Sequence, residues 1–245
     1  MANALLDVKG ITKRFGGFTA LDNVDLTLIA GERLGLIGPN GSGKSTLVNC
    51  ITGVLFAEDG TVNFDGHDVS RLPAHQRIRR GLARSFQIPK PFASMSVVEN
   101  LCVPLIYAAS GGSTSRRRSA DVHGEAMSIL AEIGLADKAD ARSGGLTQVD
   151  MRKLELARAI AAKPKLLISD EAMAGLSSSE VDDIIVLLLK MKERNIAVIM
   201  IEHIMRAVVK FSERVVVLDA GKKIAEGDPQ SVMKNPLVEK AYLGE

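Results

Sequence analysis

Residues Gly38-Pro39-Asn40-Gly41-Ser42-Gly43-Lys44-Ser45-Thr46 constrain this chain more than any other stretch. They match G-x-x-x-x-G-K-[ST] in the context that gives the motif meaning, with the apolar strand candidate Leu34-Gly35-Leu36-Ile37 before it and a helical pattern after it. Such a junction commits the chain to a strand, a tight glycine turn and a helix N-terminus in that order. Glycines 38, 41 and 43 let the backbone curl so that successive N–H groups point inward, and the helix adds its partial positive charge. The guest this loop suits is a polyphosphate. Lys44 reaches β- and γ-phosphates, the Ser45 hydroxyl suits Mg²⁺, and Thr46 adds a further hydroxyl contact.

The helix after the loop is expected from Lys44 to about Thr52, with Leu47, Val48 and Ile51 on its apolar face and Gly53 as its stop. Further on, Leu166-Leu167-Ile168-Ser169 ends at Asp170-Glu171, and Ile196-Ala197-Val198-Ile199-Met200-Ile201 ends at Glu202-His203. Between them a helical pattern carries Val181, Ile184, Ile185 and Leu188. Continuous apolar strands alternating with helices indicate a mostly parallel sheet covered on both faces, whose ligands sit beyond the carboxyl ends of the strands. Three strands therefore deliver the P-loop, Asp170 with Glu171, and His203 to one edge. By chemistry, Asp170 holds Mg²⁺ directly or through water, Glu171 orients or deprotonates an attacking water, and His203 hydrogen-bonds the γ-phosphate.

The remaining segments say less. Residues 4–37 read as short strands and turns, with Val24-Asp25-Leu26-Thr27-Leu28 alternating as a half-exposed strand does. Phe15, next to Gly16-Gly17, stacks on a base or fills a satellite core, and the residues leave those two even. Thr61 to Gly66 reads as a strand into an Asp-Gly turn. Arg77, Arg79, Arg80 and Arg84 form a basic patch, read as a solvated helix face. From Ile88 to Ala162 the pattern turns helical, with Pro89, Pro91 and Pro104 punctuating its start and Ser110 to Arg118 as an exposed loop. Arg214 to Leu218 is a strand turning through Asp219-Ala220-Gly221, followed by a short helix near Pro229 to Lys234 and a polar tail.

At 245 residues the chain suits one large α/β domain or two small ones, and a net charge of +2 gives no electrostatic case for nucleic acid. Cys50 and Cys102 offer neither a disulfide framework nor metal-ligand spacing, which fits a reducing cytosol. No run approaches 18 apolar residues and the start lacks a signal-peptide pattern, so any membrane association is expected through a partner.

The order of these motifs resembles that of the ATP-binding cassette (ABC) family along nearly the whole chain. The sequence gives, in order, an aromatic near the start (Phe15), the Walker A loop (Gly38 to Thr46), Gln87 after Ala83-Arg84-Ser85-Phe86, a signature region from Leu146, the Walker B pair (Asp170 and Glu171) and a switch histidine (His203). Lys13 to Gly17, Ala83 to Gln87, Ile201 to Met205 and Ala241 to Glu245 look like the ATPase subunits of branched-chain amino-acid importers. The resemblance implies one P-loop NTPase domain, with 1–87 and 163–235 as ATPase core and antiparallel β subdomain, 88–162 as helical subdomain, and 236–245 as tail. It further implies that Phe15 stacks on adenine, that Gln87 reaches Mg²⁺ and the attacking water, and that Glu171 is the base. Two cassettes, identical or not, would pair head to tail, each closing its signature region, Thr147 included, over the other's ATP. Integral-membrane permease subunits would bind near Pro89 to Met95, on the inner face of the cell membrane.

The chain departs from the family at the signature, where Leu146-Thr147-Gln148-Val149-Asp150 stands in place of Leu-Ser-Gly-Gly-Gln; spacing to Leu154-Glu155-Leu156-Ala157-Arg158-Ala159 argues against the nearby Ser143-Gly144-Gly145. Thr147-x-x-Asp150 reads as an N-cap with an acidic third residue. Val149 adds bulk where bare backbone meets phosphate. Asp150 adds a charge that costs about 1.7 kcal/mol at ~10 Å and an effective dielectric near ~20, so weaker closure around ATP is expected. Ala172 also replaces a proline, and Ser177 an Asp or Asn expected at the dimer contact. Two other readings compete with the transport motor: a soluble ABC ATPase acting on nucleic acid or ribosomes, and a regulatory cassette with feeble hydrolysis.

Overall fold

A computed structural model describes residues 4–85, 89–107 and 119–243. Gln87, the Ser110 to Arg118 loop and the last two residues lie outside the described residues.

The chain opens with β1 (Ala4–Phe15) and β2 (Phe18–Ile29), then β3 (Arg33–Ile37), which runs through the glycine loop into α1 (Lys44–Thr52). β4 (Asp59–Phe64), β5 (His67–Asp68), α2 (Ala74–Arg79) and β6 (Leu82–Ser85) follow. The first two strands hold twelve residues each, longer than the sequence suggests. Gly10, with φ +61°, sits where the β1–β2 register shifts between Val8 and Ile11, so the chain bulges and continues rather than turning. An antiparallel sheet of order β2-β1-β4-β5 results.

α3 (Val97–Tyr107), α4 (Ser119–Ile133) and α5 (Gln148–Ala161) come next and bury Leu101, Leu105, Leu130, Leu154 and Ala157 among themselves. Pro104 lies inside α3 rather than ahead of it. Its missing N–H and ring clash cost about 3 kcal/mol, which burial of Val97, Leu101 and Leu105 offsets.

The second half supplies β7 (Leu166–Asp170), α6 (Ser178–Leu189), β8 (Ala197–Ile201), α7 (Met205–Phe211), β9 (Arg214–Asp219) and β10 (Lys222–Gly227). It closes with α8 (Pro229–Val232) and α9 (Pro236–Leu243). The second sheet has the order β10-β9-β3-β8-β7-β6, parallel except for β9 with β10. Every residue of β7 and β8 is buried, as continuous apolar strands between two covering layers require. One apolar cluster fills the space between the sheets, and another joins this sheet to the helices.

Two expectations need correction. The C-terminal stretch is not a polar tail: α9 buries Val238 in a cluster with Ile37, Val208, Val217 and Val232. The arginine patch is divided. Arg77 is 1% exposed and donates to the carbonyls of Cys50 and Ile51, each at 2.7 Å, so it satisfies the orphan acceptors at the end of α1. Burial pulls its pKa down to about 10. Arg84 is turned inward as well, at the end of β6. Separately, Ser177 caps α6 in a reciprocal box with Glu180, a role within its own chain that leaves the dimer expectation as it stood.

Candidate active site

The P-loop owes its shape to glycine. Gly41 and Gly43 have φ of +79° and +104°, and a Cβ on Gly43 would lie 2.7 Å from the Ala20 carbonyl. Gly43 is also the N-cap of α1 and contributes no side-chain cap, so the first amides of the helix stay available to an anion. Lys44 folds over the loop, its Nζ donating to the carbonyls of Gly38 at 2.8 Å and Pro39 at 2.9 Å. Burial lowers the Lys44 pKa, while the charges of Glu171 and Asp170 push it back up. The ammonium therefore sits between bare helix amides and two carboxylates, where the phosphates of a nucleotide fit.

At the end of β7 the chain turns sharply, and Glu171 takes φ +47°, a conformation costly for a residue with a Cβ. Its N–H donates to Ile201 O at 2.9 Å, which fastens the turn to the end of β8. His203 Nε2 then donates to Glu171 Oε1 at 2.8 Å. The sheet register brings this pair together: Asp170 stands beside Ile201 in the β7–β8 ladder.

Phe15, Asn40, Gly41, Ser42, Gly43, Lys44, Ser45, Thr46, Glu171 and His203 all line one cleft of about 300 Å³. Phe15 is half exposed on its wall, with Lys13 Nζ 5.3 Å from the ring centre, so the satellite-core option is excluded. Gly38 and Pro39 lie behind the wall and offer their carbonyls to Lys44. Gly38 has no room for a side chain, since a Cβ would approach the Leu218 carbonyl to 2.0 Å. Asp170 does not line the cleft. Its Oδ2 accepts from Arg84 Nη2 at 2.6 Å, and Arg84 Nη1 donates to Asn49 on α1 at 2.7 Å. Thr147 does not line the cleft and stands as the N-cap of α5.

Sequence reasoning missed three participants. Phe18, opposite Phe15 in the β1–β2 ladder, also lines the cleft; its place after Gly16-Gly17 was the available signal. Arg84 holds Asp170 from the neighbouring strand. Glu202 is 3% exposed and its Oε1 accepts from Met173 N–H at 2.9 Å. Burial raises its pKa, against the amides of Met173 and His203.

The sequence pattern of the ABC transporter family matches residues 21–174, from β2 through the P-loop to the turn after β7. The chain belongs to the ABC transporter family. A second pattern, described as branched-chain amino acid ATP-binding cassette transporter, matches residues 222–245. The cassette is 36% identical, over all of both chains, to a high-affinity branched-chain amino acid transport ATP-binding protein of Pseudomonas aeruginosa and equally to one of Escherichia coli. Its fold follows a solved nucleotide-free ATP-binding cassette at a TM-score of 0.89 and 32% identity, covering 99% of this chain and 100% of that one. A dimeric cassette bound to ADP and Pi aligns at 0.81 and 25% identity, covering 91% and 98%. The cassette is an ATPase by family.

Its signature segment is built differently from the P-loop. Thr147 caps α5: its Oγ1 accepts from Asp150 N–H at 3.3 Å and donates to Asp150 Oδ2 at 2.7 Å. Lys138 Nζ meets the same carboxylate oxygen at 2.6 Å. Burial pushes the Asp150 pKa up, but Lys138 and Thr147 outweigh it and hold it below the ordinary carboxylate range. Asp150 is therefore a paired, buried charge, and the expectation that it repels an approaching phosphate is weakened. Ser143, in the alternative glycine stretch, is buried and donates to Phe92 O at 3.0 Å, which gives it a packing role.

Proposed function

We propose that this cassette binds ATP with Mg²⁺ and hydrolyses it as one of two motor subunits driving a separate permease for branched-chain or related amino acids. The observation that carries the catalytic reading is the Glu171–His203 pair at 2.8 Å, in the same cleft as Lys44. The full-length likeness to branched-chain amino acid transport ATP-binding proteins supports the substrate class.

The residues divide the work by chemistry. The P-loop amides of Gly41 to Thr46 and the Lys44 ammonium receive the β- and γ-phosphates. Phe15, with Phe18 beside it, offers a face on which the base stacks. Glu171 takes the proton from the attacking water, and His203 fixes the carboxylate for that transfer. Mg²⁺ supplies neutralisation of phosphate charge when bound. Ser45 would hold it directly, Asp170 through water while Arg84 occupies its carboxylate, and Gln87 would join them. Thr147 would serve the nucleotide of the opposite cassette in a head-to-tail dimer. Among the described residues no helix is long and apolar enough to cross a membrane. The likeness to branched-chain amino acid transport ATP-binding proteins supports a subunit held peripherally at the inner face of the cell membrane by its permease. Exposed Phe92, Ile106 and Tyr107 offer apolar surface for that contact.

Glu171→Gln tests the reading. Removal of a general base lowers turnover by about 10²–10⁴-fold, while nucleotide affinity stays within twofold. Retained hydrolysis in a steady-state phosphate-release assay would overturn the assignment. Copurification with membranes, against salt-sensitive binding to DNA or RNA, separates transport from a nucleic-acid role.

A further inference from the structure

Gln148 stands where the family's signature carries a glycine, and its side chain reaches back into its own subunit. Gln148 Nε2 donates to the Ala174 carbonyl at 3.4 Å, and Arg152 Nη2, one turn further along α5, donates to the same oxygen at 3.2 Å. A Cβ placed on Gly175 would lie 2.7 Å from Gln148 Nε2, so the amide rests on bare backbone at a residue with φ +78°. Glycine at position 148 has no atoms with which to make either contact.

The carbonyl so gripped belongs to the turn that carries Glu171. On the opposite side the turn is held by the end of β8, where Glu171 N–H donates to Ile201 O and Met173 N–H to Glu202 Oε1, both at 2.9 Å. Segment 171–175 is therefore pinned between the strand that leads to His203 and the first two turns of α5. A φ of +47° at Glu171 persists only where surrounding bonds over-determine it. The Glu171 N–H bond to Ile201 O and the Ala174 N–H bond to Glu171 O, at 3.3 Å, act on it directly, and the bonds from α5 act on the same short turn.

We propose that Gln148 is a positioning residue, which ties the first turn of α5 to segment 171–175 of the same chain and so sets Glu171 against His203. Displacement of α5 then reaches the Glu171 carboxylate through the Ala174 carbonyl, without a partner cassette. This inference rests on Glu171 as the base, yet the two fail separately, because the bond can be read in the absence of hydrolysis.

The test uses Gln148→Gly, Gln148→Glu, which sets a carboxylate against the carbonyl, and Gln148→Lys, which keeps a donor of similar reach. The chain has four histidines, so the His203 imidazole is assignable by ¹⁵N-histidine NMR with a His203→Gln control. In the nucleotide-free protein, Gln148→Gly and Gln148→Glu shift the His203 ring resonances and Gln148→Lys leaves them in place. In steady state the first two lower kcat about two- to threefold with KM for ATP unchanged, the low end for loss of a neutral hydrogen bond, since Arg152 keeps its own bond to the Ala174 carbonyl. Unmoved His203 resonances in Gln148→Gly overturn the proposal. So does a rise in turnover, which would mean that the side chain acts only by obstructing the partner's phosphate.

Discussion

The P-loop and the signature segment both lead into the N-terminus of a helix and treat it in opposite ways. At α1 the cap is Gly43, no side chain satisfies the first amides, and the loop before it keeps φ values open only to glycine. At α5 the cap is Thr147, whose oxygen accepts from Asp150 N–H, while Asp150 is itself paired with Lys138. A helix start that must receive an external anion leaves its amides bare. One that must hold its own chain together fills them. The signature segment of this cassette has moved toward the second type, and its exposed Thr147 hydroxyl is already engaged at home.

The largest effect that would break the contrast is a matched pair of methyl groups. Gly43→Ala sets a Cβ 2.7 Å from the Ala20 carbonyl at φ +104°, whereas the Cβ of Gly145→Ala, at the residue just ahead of the signature segment, meets nothing within 4 Å. Strain of about 1–3 kcal/mol is expected to weaken ATP binding by roughly 5–150-fold in the first variant. The second should bind within twofold of the unaltered cassette. Equal losses by equilibrium nucleotide binding would show that backbone shape at the P-loop is not what distinguishes the two segments.

How far the residues foretold this contrast depends on whether each reading was local. The helix expected from Lys44 to about Thr52 matches α1, with Gly53 at φ +76° as its stop, because strand, turn and cap are encoded within twenty residues. The meeting of Lys44, Glu171 and His203 was legible because parallel strands share a carboxyl edge. Arg77 and Arg84 were not legible, since one arginine in a basic run looks like another until helix ends and strand neighbours are known. α9 was missed because Pro236 to Leu243 is short and mixed, although Asn235, whose Oδ1 accepts from Leu237 N–H, followed by Pro236 is a helix-start signal; Val238 then packs in one cluster with Ile37. The pairing of Asp150 with Lys138, twelve residues away, needed the turn between α4 and α5.

A smaller effect separates bulk from charge in the signature. Val149 and Asp150 were expected to weaken closure together, by sterics and by repulsion. With Asp150 paired and buried, relief should come from Val149→Gly alone, as a gain in turnover of about two- to fivefold, on the scale of one helix-terminus interaction. Asp150→Gln alone should give none, since it leaves Lys138 without its carboxylate. If Asp150→Gln matches Val149→Gly in a phosphate-release assay, the Asp150 charge faces phosphate after all.

The smallest effect concerns stability and pH. The folded-state pKa of Asp150 is depressed, so its contribution is fully present above the unfolded carboxylate value near ~3.9 and is lost as pH falls through the folded value. Lys138 has the opposite sign. Its hydrogen bond with Asp150 raises its pKa, so its share is complete below the usual lysine range and fades as pH climbs through the raised value. The pair therefore stabilises the start of α5 across neutral pH and weakens at both ends. Asp150→Asn keeps the shape and removes the charge, and at pH 7 it should lower Tm by about 2–4 °C, the shift that 1 kcal/mol produces in a chain of this size. Measured by calorimetry, the gap between variant and unaltered protein should narrow below pH 4. A gap that stays constant down to pH 3 would mean that Asp150 acts through packing alone, and that the capped helix start of α5 owes nothing to its ion pair.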